Sequence, residues 1–167
     1  MNSLIPYNER DRLRALLACK ILDTPNEECF DKVTRQAVDQ FNVPTSAFGL
    51  VDSERYWVKS SVGFGVKEVE RAVALCAHVV GNNAPIVLED SHKDRRFVDH
   101  PFVQGDPFIR FYAGIPVRAQ GGHAVGSFCI VDTVPREFPW EEYLALQELA
   151  KELEDQLCHG NGNEVSG

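Results

Sequence analysis

A chain of 167 residues with 44% hydrophobic and 25% charged residues has the size and balance of one globular domain, which argues against a disordered segment or a two-domain enzyme. Its formal net charge of −8 provides no general footprint for a phosphate backbone, so nucleic acid is excluded as a partner. No apolar run approaches the roughly 20 residues of a membrane span, and the N-terminus lacks a secretory pattern, so no membrane insertion and a cytoplasmic home are expected.

Asn8 is placed to cap a first helix running to about Lys20, with Leu13, Leu16, Leu17 and Ile21 on one face. Thr24-Pro25-Asn26-Glu27 reads as a capping box with proline at the first helical position, opening a second helix whose stripe is Phe30, Val33, Ala37, Val38 and Phe41. Ser46–Asp52 and Tyr56–Ser61 follow as an antiparallel hairpin about a polar turn. The glycine-punctuated stretch 62–69 reads as a loop, Ala72–Val80 as a short helix and Pro85–Leu88 as a short buried strand. Residues 89–109 show no sustained period and are expected to form a long loop or a pair of short helical turns, the kind of segment that is often functional. Phe111–Val117 and Ala124–Asp132 are strands joined by the glycine turn Gln120-Gly121-Gly122-His123. The second is almost continuously apolar and belongs in the centre of a sheet. Pro139 opens a last helix with Leu146, Leu149, Ala150, Leu153 and Leu157 as its stripe.

The order predicts an α+β domain over residues 1–159, with an N-terminal helix within 1–22, a C-terminal helix within 139–159 and a flexible tail at 160–167. Cys19, Cys29, Cys76, Cys129 and Cys158 are odd in number, far apart and without a CxxC pair, so all five read as reduced thiols.

Several segments in this order resemble the GAF domains of bacterial signalling proteins. They are Ile21-Leu22-Asp23-Thr24-Pro25, Leu50-Val51-Asp52, Leu75-Cys76-Ala77-His78, Arg95-Arg96-Phe97, Ile109 to Pro116 and Gly126 to Asp132. The resemblance implies a central antiparallel sheet of five to six strands, terminal helices packed on one face and a loop-covered pocket on the other. It further implies sensing of a small molecule or dimerisation in signal transduction, with a histidine kinase or diguanylate cyclase as output partner. It names no cofactor and no particular ligand.

The candidate ligand-binding residues are Trp57, Cys76, His78, Asp90, Arg95, Arg96, Phe97, Arg110 and Tyr112. Arg95, Arg96 or Arg110 can hold an anion by paired hydrogen bonds, with Trp57 and Tyr112 as apolar walls. Interleaved Asp90, Asp94 and Asp99 can instead pair with the guanidinium groups and fix the loop, and this is the weightier expectation. Cys76 and His78 carry the chemistry of a nucleophile or metal ligand. On a helix, however, positions two apart point about 200° from one another, so no catalytic pair is assigned. Cys29 and Cys158 fall on terminal helices and Cys129 on a central strand, none expected to converge with Cys76. That weighs against the thiol enzyme among GAF-like folds, the free methionine sulfoxide reductase. His92, His100 and His123 lack ligand spacing, so no metal is assigned. Glu9–Lys20 is net basic and Glu141–Asp155 strongly acidic, so the terminal helices are expected to lie side by side, within one chain or across a homodimer. Three functions stay open: a ligand sensor, a docking and dimerisation module whose pocket is filled by its own side chains, and a thiol enzyme.

Overall fold

The computed structural model describes residues 5, 6 and 8–166, the side chains beyond Leu157 excepted. Five helices, α1 (Glu9–Ala18), α2 (Glu28–Phe41), α3 (Leu75–Asn82), α4 (Pro101–Gln104) and α5 (Trp140–Ser166), accompany one sheet. Its strands are β1 (Thr45–Val51), β2 (Arg55–Val62), β3 (Glu68–Glu70), β4 (Ile86–Leu88), β5 (Phe111–Arg118) and β6 (Ala124–Asp132). They pair antiparallel throughout in the order β3-β2-β1-β6-β5-β4. This is the predicted α+β architecture, and the apolar β6 stands in the middle where its lack of a polar face requires it.

Alternation along the strands sends successive side chains to opposite faces and so builds two cores. Phe48, Trp57, Phe111, Phe128 and Ile130 join Leu16 of α1, Phe30 and Phe41 of α2 and Leu146 and Leu153 of α5 on one face. On the other, Tyr56, Val58, Tyr112 and Cys129 meet Cys76 and Val79 of α3 together with Phe97 and Ile109. The stripe read on α2 is the one it buries. The terminal helices do not form the expected pair within the chain. Instead α5 packs mainly on α2 and β5, while α1 seats on β6, where the guanidinium of Arg12 donates to the Ala124 carbonyl at 3.3 Å.

Local differences have local causes. Thr24 is no helix cap: its hydroxyl donates to the Ile21 carbonyl at 2.5 Å and α2 begins at Glu28. Segment 24–27 is held open by Lys59 of β2, which is fully buried and donates to Thr24 Oγ1 at 2.8 Å and the Pro25 carbonyl at 2.5 Å while pairing with Glu27 at 2.7 Å. Lys59→Met keeps the stem but leaves two acceptors without a donor, while the half-exposed Glu27 returns to water. We expect a loss of about 2 kcal/mol in urea unfolding, and a loss within experimental error would show that the segment is held by something else. The expected loop at 62–69 contains the edge strand β3, too short to show alternation. The expected tail from Gly160 is helical to Ser166, since nothing after His159 forces a stop once a helix propagates. Residues 1–4, 7 and 167 of the expected domain and tail lie outside the described residues.

Candidate functional site

Two glycines let two tyrosines lie down on the α3 face of the sheet. A Cβ on Gly49 would stand 2.5 Å from the Tyr56 ring, and one on Gly114 would stand 2.5 Å from the Tyr112 hydroxyl, so each ring occupies the space that a side chain would take. The rings reach toward the first turn of α3, where Cys76 is the second helical residue. Tyr112 Oη lies 3.0 Å from Cys76 Sγ, and Cys129 Sγ of β6 lies 3.8 Å from the same sulfur. Tyr56 donates to the Ser127 carbonyl at 3.5 Å. Ser127 Oγ is buried beside Cys76 without a hydrogen bond of ordinary geometry among the described residues. The space left between Tyr56, Tyr112, Cys76 and Cys129 is a cavity of about 40 Å³ whose rim includes Phe64, Val69 and Phe102.

Electrostatics follow from the geometry. Burial pushes the Cys76 thiol up, but the polar groups around it, Cys129 and Tyr112 foremost, outweigh burial and bring it down to about 7. Its place at a helix N-terminus acts in the same direction. Cys129 is raised by its hydrogen bond with Cys76 and by burial. Tyr56 and Tyr112 are raised by burial and by the neighbouring sulfurs. Of the two sulfurs, Cys76 is therefore the one that ionises more readily.

The structure brings only some of the predicted residues together. Cys76 and Tyr112 are in contact, while Trp57 faces the helical layer on the opposite side of the sheet, with the Lys67 amine 5.1 Å above its ring. His78 turns away from Cys76 and meets Phe97 edge-on at 5.2 Å; burial lowers its basicity, and that of His100. Phe97 is buried as core. Asp90 caps a single helical turn by accepting from His92 N at 3.1 Å. Arg96 pairs with Asp94 at 2.8 Å, and Arg110 donates to the Val103 and Ile109 carbonyls at 2.9 and 3.0 Å. Arg95 is exposed. Arg96 thus pairs with an aspartate of its own loop, whereas Arg110 secures the segment around α4 through backbone carbonyls and not through an aspartate. The cysteine expectation needs correction: Cys129 does converge with Cys76, because residues 127 and 129 share the face of β6 that α3 covers. Tyr56 and Ser127 are not among the sequence candidates, although alternation against the apolar Phe128 and Ile130 marks the opposite face of β6. Among the described residues no group of three or more His, Cys, Asp or Glu is placed to hold a metal, and no helix is long and apolar enough to cross a membrane.

Comparison with known proteins places this arrangement. The chain is 31% identical over 131 residues to a cyclic di-GMP phosphodiesterase of Pseudomonas aeruginosa, a match covering 78% of this chain and 22% of that relative, so the chain spans about a fifth of its length. Among solved structures, the GAF domain of an Acinetobacter phosphoenolpyruvate-protein phosphotransferase superposes with a TM-score of 0.66 at 19% identity, covering 93% of this chain and 96% of its own. The free methionine-R-sulfoxide reductase of Neisseria meningitidis, solved with its substrate, superposes with a TM-score of 0.64 at 18% identity over 99% of each chain. At these identities the likeness is one of fold. The profile of the GAF domain matches residues 25–157, from the start of the Lys59-held segment to the last buried leucine of α5. The chain belongs to the GAF domain family.

Proposed function

We propose that this GAF domain is a regulatory module of bacterial signal transduction, working in the cytoplasm through contacts between protein surfaces, self-association among them. The observation that carries the reading is the closed α3 face. A cavity of about 40 Å³ remains there, against the several hundred Å³ that enclose a metabolite-sized ligand. Tyr56 and Tyr112 fill the rest. Of the functions left open by the sequence, this favours the docking and dimerisation module over the small-molecule sensor. Reduction of an amino-acid sulfoxide fits less well, since the same cavity has no room for a substrate of that size. The phosphodiesterase relative supports a signalling setting, with an output partner of the kinase, cyclase or phosphodiesterase kind.

On the helical face, Trp140 and Leu144 stand one turn apart on α5 at 67% and 42% exposure, and Leu17 of α1 is 65% exposed. With α1 basic and α5 acidic, a second copy is the occupant that matches both the apolar anchors and the charge. Light scattering at micromolar concentration is expected to return a dimer. Trp140→Glu combined with Leu144→Glu is expected to weaken it at least tenfold, about the effect of one buried anchor. A monomer mass for the unaltered protein overturns self-association. A small molecule retained through native mass spectrometry overturns the closed pocket.

A further inference from the structure

A docking domain has no use for what surrounds Cys76. Two cysteines retained only as small apolar side chains need no polar neighbours. Here Cys76 Sγ has Cys129 Sγ at 3.8 Å and Tyr112 Oη at 3.0 Å, both on the same buried sulfur. Ser127, beside them on β6, is fully buried, and its Oγ makes no hydrogen bond among the described residues. Cys76, Cys129, Tyr56 and Tyr112 all line a cavity of about 40 Å³, which has room for one water or a molecule of similar size. Phe64 and Phe102, both half-buried, stand at its outer edge.

The geometry points to Cys76 and Cys129 as a peroxide-reactive dithiol that a small hydroperoxide, hydrogen peroxide being the simplest, closes to an intradomain disulfide. The Cys76 thiolate attacks one peroxide oxygen, the O–O bond breaks, and hydroxide departs, recombining with the proton Cys76 had released to give water. Cys76 is then a sulfenic acid. The Cys129 thiol attacks that sulfur, its S–H proton leaves with the hydroxyl as a second water, and the S–S bond forms. Two thiols and one hydrogen peroxide become one disulfide and two waters; the sulfurs lose two electrons and the peroxide oxygens gain them. The Tyr112 hydroxyl, 3.0 Å from Cys76 Sγ and on the cavity wall, is placed to hold the thiolate and to donate to the leaving oxygen. The cavity selects the oxidant, admitting hydrogen peroxide and not an amino-acid sulfoxide. Closing the sulfurs from 3.8 Å to about 2.05 Å draws the first turn of α3 toward β6. That movement pulls on residues 71–74, which Arg71 ties to Glu9 of α1 at 2.7 Å.

The full chain, treated with a few equivalents of hydrogen peroxide, alkylated and digested with trypsin without reductant, provides the test. The peptides 72–93 and 119–136 are expected to appear cross-linked and to separate with dithiothreitol, while Cys19 and Cys29 remain alkylated. Cys129→Ser is expected to halt the reaction at a Cys76 sulfenic acid that dimedone traps. Tyr112→Phe is expected to slow disulfide formation about tenfold, the effect of one lost hydrogen bond to the thiolate. Full alkylation of Cys76 and Cys129 after peroxide, or oxidation beginning at Cys19 or Cys29, overturns the proposal. The mapping of the unaltered protein needs no variant to fold, and native mass measurement judges the docking reading separately.

Discussion

Gly126→Ala is expected to cost the domain about 4 kcal/mol or more, enough to leave much of it unfolded at 37 °C. A Cβ at this position would stand 2.2 Å from the Gly49 carbonyl oxygen and 3.1 Å from its carbon. The obstacle is backbone of the neighbouring strand, not the end of a side chain, so no rotamer change relieves it. β1 and β6 are the two central strands, with Leu50 opposite Gly126 and Gly49 opposite Ser127, and each is flanked by a further strand. Separating them breaks ladder hydrogen bonds and disturbs both cores at once. Because Ser127 and Cys129 follow on the same strand, whatever folded protein remains should also lose its thiol geometry. Urea unfolding followed by circular dichroism measures the first effect, and a loss below about 1 kcal/mol would show that the central strands give way easily.

Much of the fold was legible because its signals are local. Gly121 and Gly122 adopt φ of 91° and 87° in the β5–β6 turn, conformations that only glycine takes without strain, and the dipeptide announced the hairpin. The stripe of α2 and the unbroken apolar run of β6 likewise need no partner to be recognised. The Thr24 capping box misled for the opposite reason. The residues are right for a cap, but Lys59, 35 positions away, takes Thr24 Oγ1 and holds the chain extended. Non-local contacts of this kind leave no mark on spacing.

The candidate site was half legible. Cys76 and Tyr112 were singled out by residue type, whereas Cys129 was dismissed because it lies on another element. Its proximity depends on which face of β6 α3 crosses, and that follows from how the strands are ordered in the sheet. Trp57 shows the same limit in reverse. It neighbours Tyr56 in sequence, and alternation puts the two on opposite faces; only the registers carried from β2 through β1 and β6 to β5 reveal that Tyr56, not Trp57, shares the face of Tyr112. The charged loop, chosen for its arginines, uses Arg96 and Arg110 mostly on itself.

Glu9→Ala is expected to destabilise the domain by about 3 kcal/mol and to loosen the terminal helix from the thiol site. Glu9 is the shared anion of two buried guanidinium groups: Arg12 at 2.8 Å and Arg71 at 2.7 Å, with side-chain exposures of 2% and 5%. Removing the anion strands two buried cations, for which losses of about 3–5 kcal/mol are usual. The lower end applies here, because Arg12 still donates to the Ala124 carbonyl and Arg71 to those of Asp52 and Ser53. Burial alone would raise the Glu9 carboxyl, yet the hydrogen bonds and charges of Arg12 and Arg71 overcome it and lower it from 4.5 to about 2. Its value in the folded state is below that in the unfolded chain, so its contribution is present in full above about pH 4.5 and is lost as the pH falls toward 2. Glu9→Gln removes the charge while keeping the shape, and its stability curve should be flatter than that of the unaltered protein across that window. Urea midpoints measured at intervals from pH 6 to pH 2.5 decide the matter: parallel curves would mean that Glu9 does not titrate with folding. Arg71 opens the turn that leads into α3 but touches neither sulfur, so the same variant should leave disulfide formation at Cys76 intact, read as unchanged thiol mapping after peroxide.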